Sequence, residues 1–245
     1  MDLDLLGGSL NPKNLIDLAK FKLKFKRDNP DYFYPEGLLV FCGTQGSGKT
    51  LSAVQYVKKL CIEYPRAILC TNTKIVGLPA HTTVLPYEGI ESLTKWENGT
   101  FGVIYFIDEI HLEFNSLESK NVPIEVMIEV SQQRKQRKHI IGTSQVYMRM
   151  AKPFREQIRN VVICKKLLGC IQFNRLVNGE TAHEVNGELK FDTTKFLFWF
   201  HSPKLYGSYD TYAKMKRYRK EWKGVSRQDI YKRSDFNDER TTWFI

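Results

Sequence analysis

Short apolar runs punctuate the first two thirds of the chain, at residues 38–42, 66–71, 102–107, 139–144 and 160–164. Each is nearly continuous, the texture of strands buried on both faces rather than strands with one wet face. Between them the period changes. Leu51, Val54, Val57 and Cys61 recur at helical spacing up to about Glu63, and Pro65 breaks the pattern. Asn121 and Pro123 open a second helical stretch in which Ile124, Met127, Ile128 and Ser131 share one face. Gly77, Pro79, Pro86 and Gly89 mark a turn-rich connection between the second and third runs. Strands separated by helices predict an α/β fold with a mostly parallel central sheet flanked by helices.

The ends of the chain read differently. Residues 1–12 have the look of a flexible leader, and residues 13–27 form a basic amphipathic stretch in which Leu15, Ile16, Leu18, Ala19 and Phe21 alternate with lysines. After Lys166 apolar and polar positions alternate, broken by the turn dipeptides Asn178-Gly179 and Asn186-Gly187, so residues 169–200 predict a β-hairpin or meander appended to the core. The remaining segment is basic and aromatic. The expected organisation is a basic arm at 1–35, a core at 36–166, and a hairpin with a basic aromatic region at 167–245.

With 42% hydrophobic residues, 245 residues suffice for one buried core. The net charge of +10 admits a polyanionic partner without requiring one. The cysteines, Cys42, Cys61, Cys70, Cys164 and Cys170, are odd in number and lack C-x-x-C spacing, so they read as small core hydrophobes. No apolar run is long enough for a bilayer, which predicts a soluble, cytoplasmic protein.

The chemistry concentrates at three strand ends. Gly43-Thr44-Gln45-Gly46-Ser47-Gly48-Lys49-Thr50 matches the phosphate-binding pattern G-x-x-x-x-G-K-S/T, between the first strand and first core helix. Such a loop aims backbone N–H groups and the positive helix end at a polyphosphate, here ATP. Lys49 would reach the β- and γ-phosphates, and the Thr50 hydroxyl would hold Mg2+. The third run ends in Asp108-Glu109. With that strand beside the first, Asp108 would complete the Mg2+ site, and Glu109 would activate a water, favouring ATP hydrolysis over transfer to a small acceptor. The fourth run ends near Gln145, whose amide can sense the γ-phosphate, unless Thr143, Ser144 and Gln145 merely finish the strand and start a loop. Arg134 and Arg137, before that strand, are alternative arginine fingers for a neighbouring subunit or merely a solvated helix end.

Gly43–Thr50, Asp108-Glu109, and Gln133-Arg134 followed by Gln145 resemble the zonula occludens toxin-like ATPases of phages and, more widely, the FtsK–HerA superfamily of DNA-pumping motors. A weaker echo lies at Tyr206-Gly-Ser-Tyr-Asp-Thr211. The resemblance implies a ring, often a hexamer, that uses ATP to move viral DNA, with Arg134 acting between subunits and Gln145 as sensor. The related filamentous phage assembly proteins carry a transmembrane helix that this sequence lacks. That departure points to a soluble packaging or translocation motor in the host cytoplasm, acting at a capsid or portal vertex or on replicating DNA.

Two rival readings remain open. Asp108-Glu-Ile-His111 also fits the D-E-x-H box of helicases, and a ring helicase shares the expected features. A nucleotide-switched assembly scaffold would use the same loop without turnover. Lys214, Lys216, Arg217, Arg219, Lys220 and Lys223, with Tyr218 and Trp222 between them, are candidate DNA contacts, or equally a dock for an acidic capsid protein.

Overall fold

A computed structural model describes residues 12–34, 37–116, 122–185 and 188–209. The leader, the basic aromatic region from residue 210 onward, Asn121 and the Asn186-Gly187 turn lie outside the described residues. The strands are β1 (Leu38–Cys42), β2 (Ile68–Thr71), β3 (Thr83–Pro86), β4 (Val103–Ile107), β5 (Lys138–Ser144), β6 (Ile158–Leu167), β7 (Ile171–Asn178), β8 (His183–Val185), β9 (Glu188–Lys190) and β10 (Thr193–Phe200). The helices are α1 (Pro12–Asp28), α2 (Lys49–Glu63), α3 (Ser92–Lys95), α4 (Ile124–Gln132), α5 (Lys152–Arg155) and α6 (Pro203–Tyr206).

Eight strands make one sheet in the order β10-β7-β6-β1-β5-β4-β2-β3, with β8 and β9 paired separately. From β6 to β3 every pairing is parallel, while β7 pairs antiparallel with both β6 and β10. The α/β architecture is therefore the expected one. Side chains of β1 alternate between two cores. Leu38, Val40 and Cys42 join Val103, Tyr105 and Ile107 over α4 and α5, whereas Leu39 and Phe41 pack with Ala53, Val54, Val57 and Leu60 of α2. Burial on both faces explains why these strands lack polar alternation.

Four local expectations change. The acid-bearing strand β4 does not lie beside β1, because β5 is inserted between them. All seven residues of β5 are buried, so the centre of the sheet is where its apolar surface is best covered. Gly142 permits this, since a Cβ there would sit 2.6 Å from the Ile110 side chain. The connection read as turns contains the edge strand β3. On α4 the buried positions are Val126 and Val130, whereas Ile124 and Ile128 are exposed. Glu129 of the same helix turns its carboxylate to buried Lys138. Four cysteines are buried as expected, but Cys170, in the β6–β7 turn, is exposed.

The meander expected over 169–200 is present as β7 and β10, paired antiparallel with the β8–β9 hairpin between them, and it continues the central sheet through β6 rather than standing apart from it. β10 closes that side with Phe196, Phe198 and Phe200 exposed. No helix of the described residues is long and apolar enough to cross a membrane.

Candidate functional site

Parallel strands place their C-terminal ends on one edge, and there the predicted motifs converge. β1 runs out at Cys42, and the loop turns through Gly46 and Gly48, both in the left-handed region (φ 78° and 82°), before α2 begins at Lys49. Gly43 is needed for space, since a Cβ would meet Ser47 Oγ at 2.4 Å and the Cys164 carbonyl at 2.8 Å. The first turn of α2 thus presents its free N–H groups to the loop.

Asp108 and Glu109 follow the end of β4. Despite the intervening β5, Thr50 Oγ1 donates to Asp108 Oδ1 at 3.2 Å. The inserted strand bridges the gap, because Thr143 of β5 donates its hydroxyl hydrogen to Asp108 Oδ1 and its oxygen accepts from the Glu109 N–H at 2.8 Å. Asn72, just past β2, holds Asp108 from the other side, accepting from its N–H at 2.9 Å and donating to its carbonyl at 3.1 Å. Glu109 is thereby fixed in the left-handed region (φ 56°), a conformation that costs a non-glycine residue about 1–2 kcal/mol.

That backbone geometry turns the Glu109 carboxylate toward the loop. Its Oε1 lies 3.7 Å from Lys49 Nζ, and its Oε2 lies 3.3 Å from His111 Nδ1 without hydrogen-bond geometry. Ser47 Oγ is likewise buried without a hydrogen-bond partner among the described residues. His111 also faces Ser144 Oγ at 3.3 Å. Hard cations take oxygen ligands, and the Thr50 hydroxyl with the Asp108 carboxylate is a donor pair that fits Mg2+.

Gln145 is the residue after β5, exposed beside the loop; the Gly43 N–H donates to the neighbouring Ser144 carbonyl at 3.3 Å. Arg134 does not join this edge. It lies at the opposite, N-terminal edge, its Cδ 4.0 Å from a Cβ built at Gly37, just before β1. Arg137 is committed elsewhere, with its guanidinium 3.9 Å over the Tyr32 ring and its Nη1 donating to the Phe33 carbonyl at 3.4 Å.

Behind the loop lies a support that sequence reasoning missed. Gln172 and Asn174 of β7 are 0% and 5% exposed. Gln172 Nε2 donates to the Ser47 carbonyl at 3.0 Å and to Asn174 Oδ1 at 2.9 Å, and Asn174 Nδ2 donates to Ser52 Oγ of α2 at 3.1 Å. Gln172 Oε1, which accepts from His201 Nε2 at 3.0 Å, occupies the place a Cβ on Gly48 would need, only 2.0 Å away. In an alternating strand the polar positions are ordinarily read as the wet face. Here they face the phosphate loop, and the available signal was amides, rather than charges, at those positions.

A glycine loop between a central parallel strand and a helix, with an acid pair at the same edge, defines the P-loop NTPase fold. No family model and no curated protein matches the chain. Among solved structures it is similar to the N-terminal domain of zonular occludens toxin from Neisseria meningitidis (14% identity, 71% of this chain and 98% of that one, TM-score 0.45). It is also similar to the genome packaging NTPase B204 from Sulfolobus turreted icosahedral virus 2 in complex with ATP-gammaS (12% identity, 64% and 96%, TM-score 0.45).

Proposed function

We propose that this chain is an ATP-hydrolysing motor subunit that moves viral DNA during virion assembly, acting in a ring in the host cytoplasm or at a capsid vertex. The observation that carries the reading is the corner made by Thr50, Asp108 and Glu109. It sets two oxygens that suit Mg2+ next to a carboxylate held in strained backbone.

When bound between Thr50 and Asp108, Mg2+ would neutralise charge on the β- and γ-phosphates. Lys49 donates to the same phosphates, and in doing so gives up its contact with Glu109. The freed Glu109 carboxylate accepts the proton of the attacking water, while Gln145 hydrogen-bonds the γ-phosphate side. Arg134 is separated from its own loop by the five residues of β1, a length of roughly 17 Å. Its own loop is thus out of reach, and by the resemblance to ring-forming motors it is assigned to the γ-phosphate of an adjacent subunit. Arg137, stacked on Tyr32, is left to structure.

Phosphate release and retention of a fluorescent ATP analogue test the reading together. Glu109→Gln should lose about 10²–10⁴-fold in turnover while still binding the analogue; unchanged turnover would sink it. Subunits carrying Lys49→Ala and Arg134→Ala should each be inactive, yet regain turnover when mixed, since some junctions then unite an intact loop with an intact arginine. Stimulation by DNA separates the motor from a nucleotide-switched scaffold.

A further inference from the structure

At the edge of the sheet away from the phosphate loop, a cleft of about 570 Å³ opens between α1 and the C-terminal end of α2, lined by Lys22, Lys26, Tyr32, Tyr34, Glu63 and Tyr64. Behind it Phe33 is buried, packs in a T-shaped pair with Tyr64 at 4.9 Å between centroids, and donates its N–H to the Thr100 carbonyl at 3.0 Å. Tyr32 is held by the Arg137 guanidinium and, edge-on, by Phe25 at 4.9 Å. Tyr34 leans on Tyr32 at 4.8 Å and remains 46% exposed, presenting a ring to solvent. The other wall is α1, which carries six basic residues against two acidic ones and buries none of its side chains.

We propose that this cleft binds a single polynucleotide strand, with phosphates along Lys22 and Lys26 and a base stacked on Tyr34. DNA as the strand rests on the motor reading; the binding itself requires no hydrolysis. A basic track beside a fixed aromatic platform is the combination that holds single strands, because every base offers a π-face and every nucleotide a charge. Glu63 sets the orientation. Its carboxylate repels phosphate, so the backbone runs on the α1 side, and Glu63 accepts from N–H donors of bases turned toward Tyr64, the N3–H in the case of thymine. Paired bases in a duplex have no free face to offer. An anionic lipid surface fits less well, since it would take the neighbouring exposed stripe of Leu18 and Phe21 and leave Tyr34 with nothing to stack on.

The test uses the full chain without nucleotide, a fluorescent oligothymidine, an abasic strand of equal length and phosphatidylserine vesicles. Tyr34→Ala should weaken the oligothymidine about tenfold, leave the abasic strand unaffected, and be rescued by Tyr34→Phe. Lys22→Gln with Lys26→Gln, both exposed and so without effect on folding, should reduce the slope of log affinity against log salt by about 1.4 for two single-strand phosphates. Wild-type affinity and slope in both variants would overturn the proposal, as would loss of vesicle binding with oligonucleotide binding intact. ATP turnover without DNA should match wild type in these variants, so failure of the cleft and failure of the ATPase reading are told apart.

Discussion

The two edges of the parallel sheet are built from similar residue types put to opposite uses. At the C-terminal edge Lys49, Glu109 and Ser47 are enclosed but incompletely satisfied, with Lys49 and Glu109 no closer than 3.7 Å. At the N-terminal edge the charged and imidazole groups are consumed, although Gln133 Oε1 and Gln136 Oε1 are buried without a hydrogen-bond partner among the described residues. Lys138 is buried against Glu129 and donates to the Leu93 carbonyl at 3.0 Å, and Gln136 closes the other oxygen of Glu129 at 2.8 Å. His139 Nδ1 donates to the Gly37 carbonyl at 2.5 Å, which leaves Nε2 to accept from Tyr56 at 3.1 Å. A polar group with spare capacity can take a ligand, whereas one with none can only hold the fold.

The largest expected effect tests the consumed edge. Lys138→Met leaves Glu129 short of its charge partner and should cost about 3–5 kcal/mol in urea unfolding, with part regained when Glu129→Leu is added. Nucleotide affinity of the folded fraction should not change. A change would break the contrast by showing that this edge also serves the site.

Acid sharpens the same contrast. Burial lowers the His139 pKa to about 4, although the Gly37 carbonyl pulls the other way. The unfolded chain takes up this proton near pH 6.5 and the folded protein only near pH 4, so stability falls as pH drops through that window. The loss should reach up to about 3 kcal/mol and then level off. The difference between pH–stability profiles of wild type and His139→Gln isolates this contribution from the carboxylates, and parallel profiles would show that His139 is not the group responsible.

The smallest effect concerns the support behind the loop. Gln172→Ala removes the donor to the Ser47 carbonyl and the group that packs over Gly48. It should cost about 1–3 kcal/mol of stability and weaken ATP-analogue binding about tenfold, read by titration calorimetry. Unaltered affinity would reduce Gln172 to a strut and confine the site to its parallel strands.

Local sequence was enough for the strand–loop–helix unit around Lys49, because glycine spacing and helix geometry act within a dozen residues of each other. It was enough, too, for the acid pair at the end of β4, since a run buried on both faces announces itself in composition. Which strand lies next to which was not legible. β5 enters between β1 and β4 through burial that only the assembled sheet measures, and Thr143 gains its bridging role from that insertion. Gln172 and Asn174 became inward-facing only when β7 joined the sheet beside α2. That Arg137 is engaged by a distant ring, Tyr32, was likewise invisible in the local sequence. The amino-acid order determined the chemistry this chain carries. Contacts between residues far apart in that order decided where each group points, because burial and hydrogen-bond satisfaction are properties of neighbours in space.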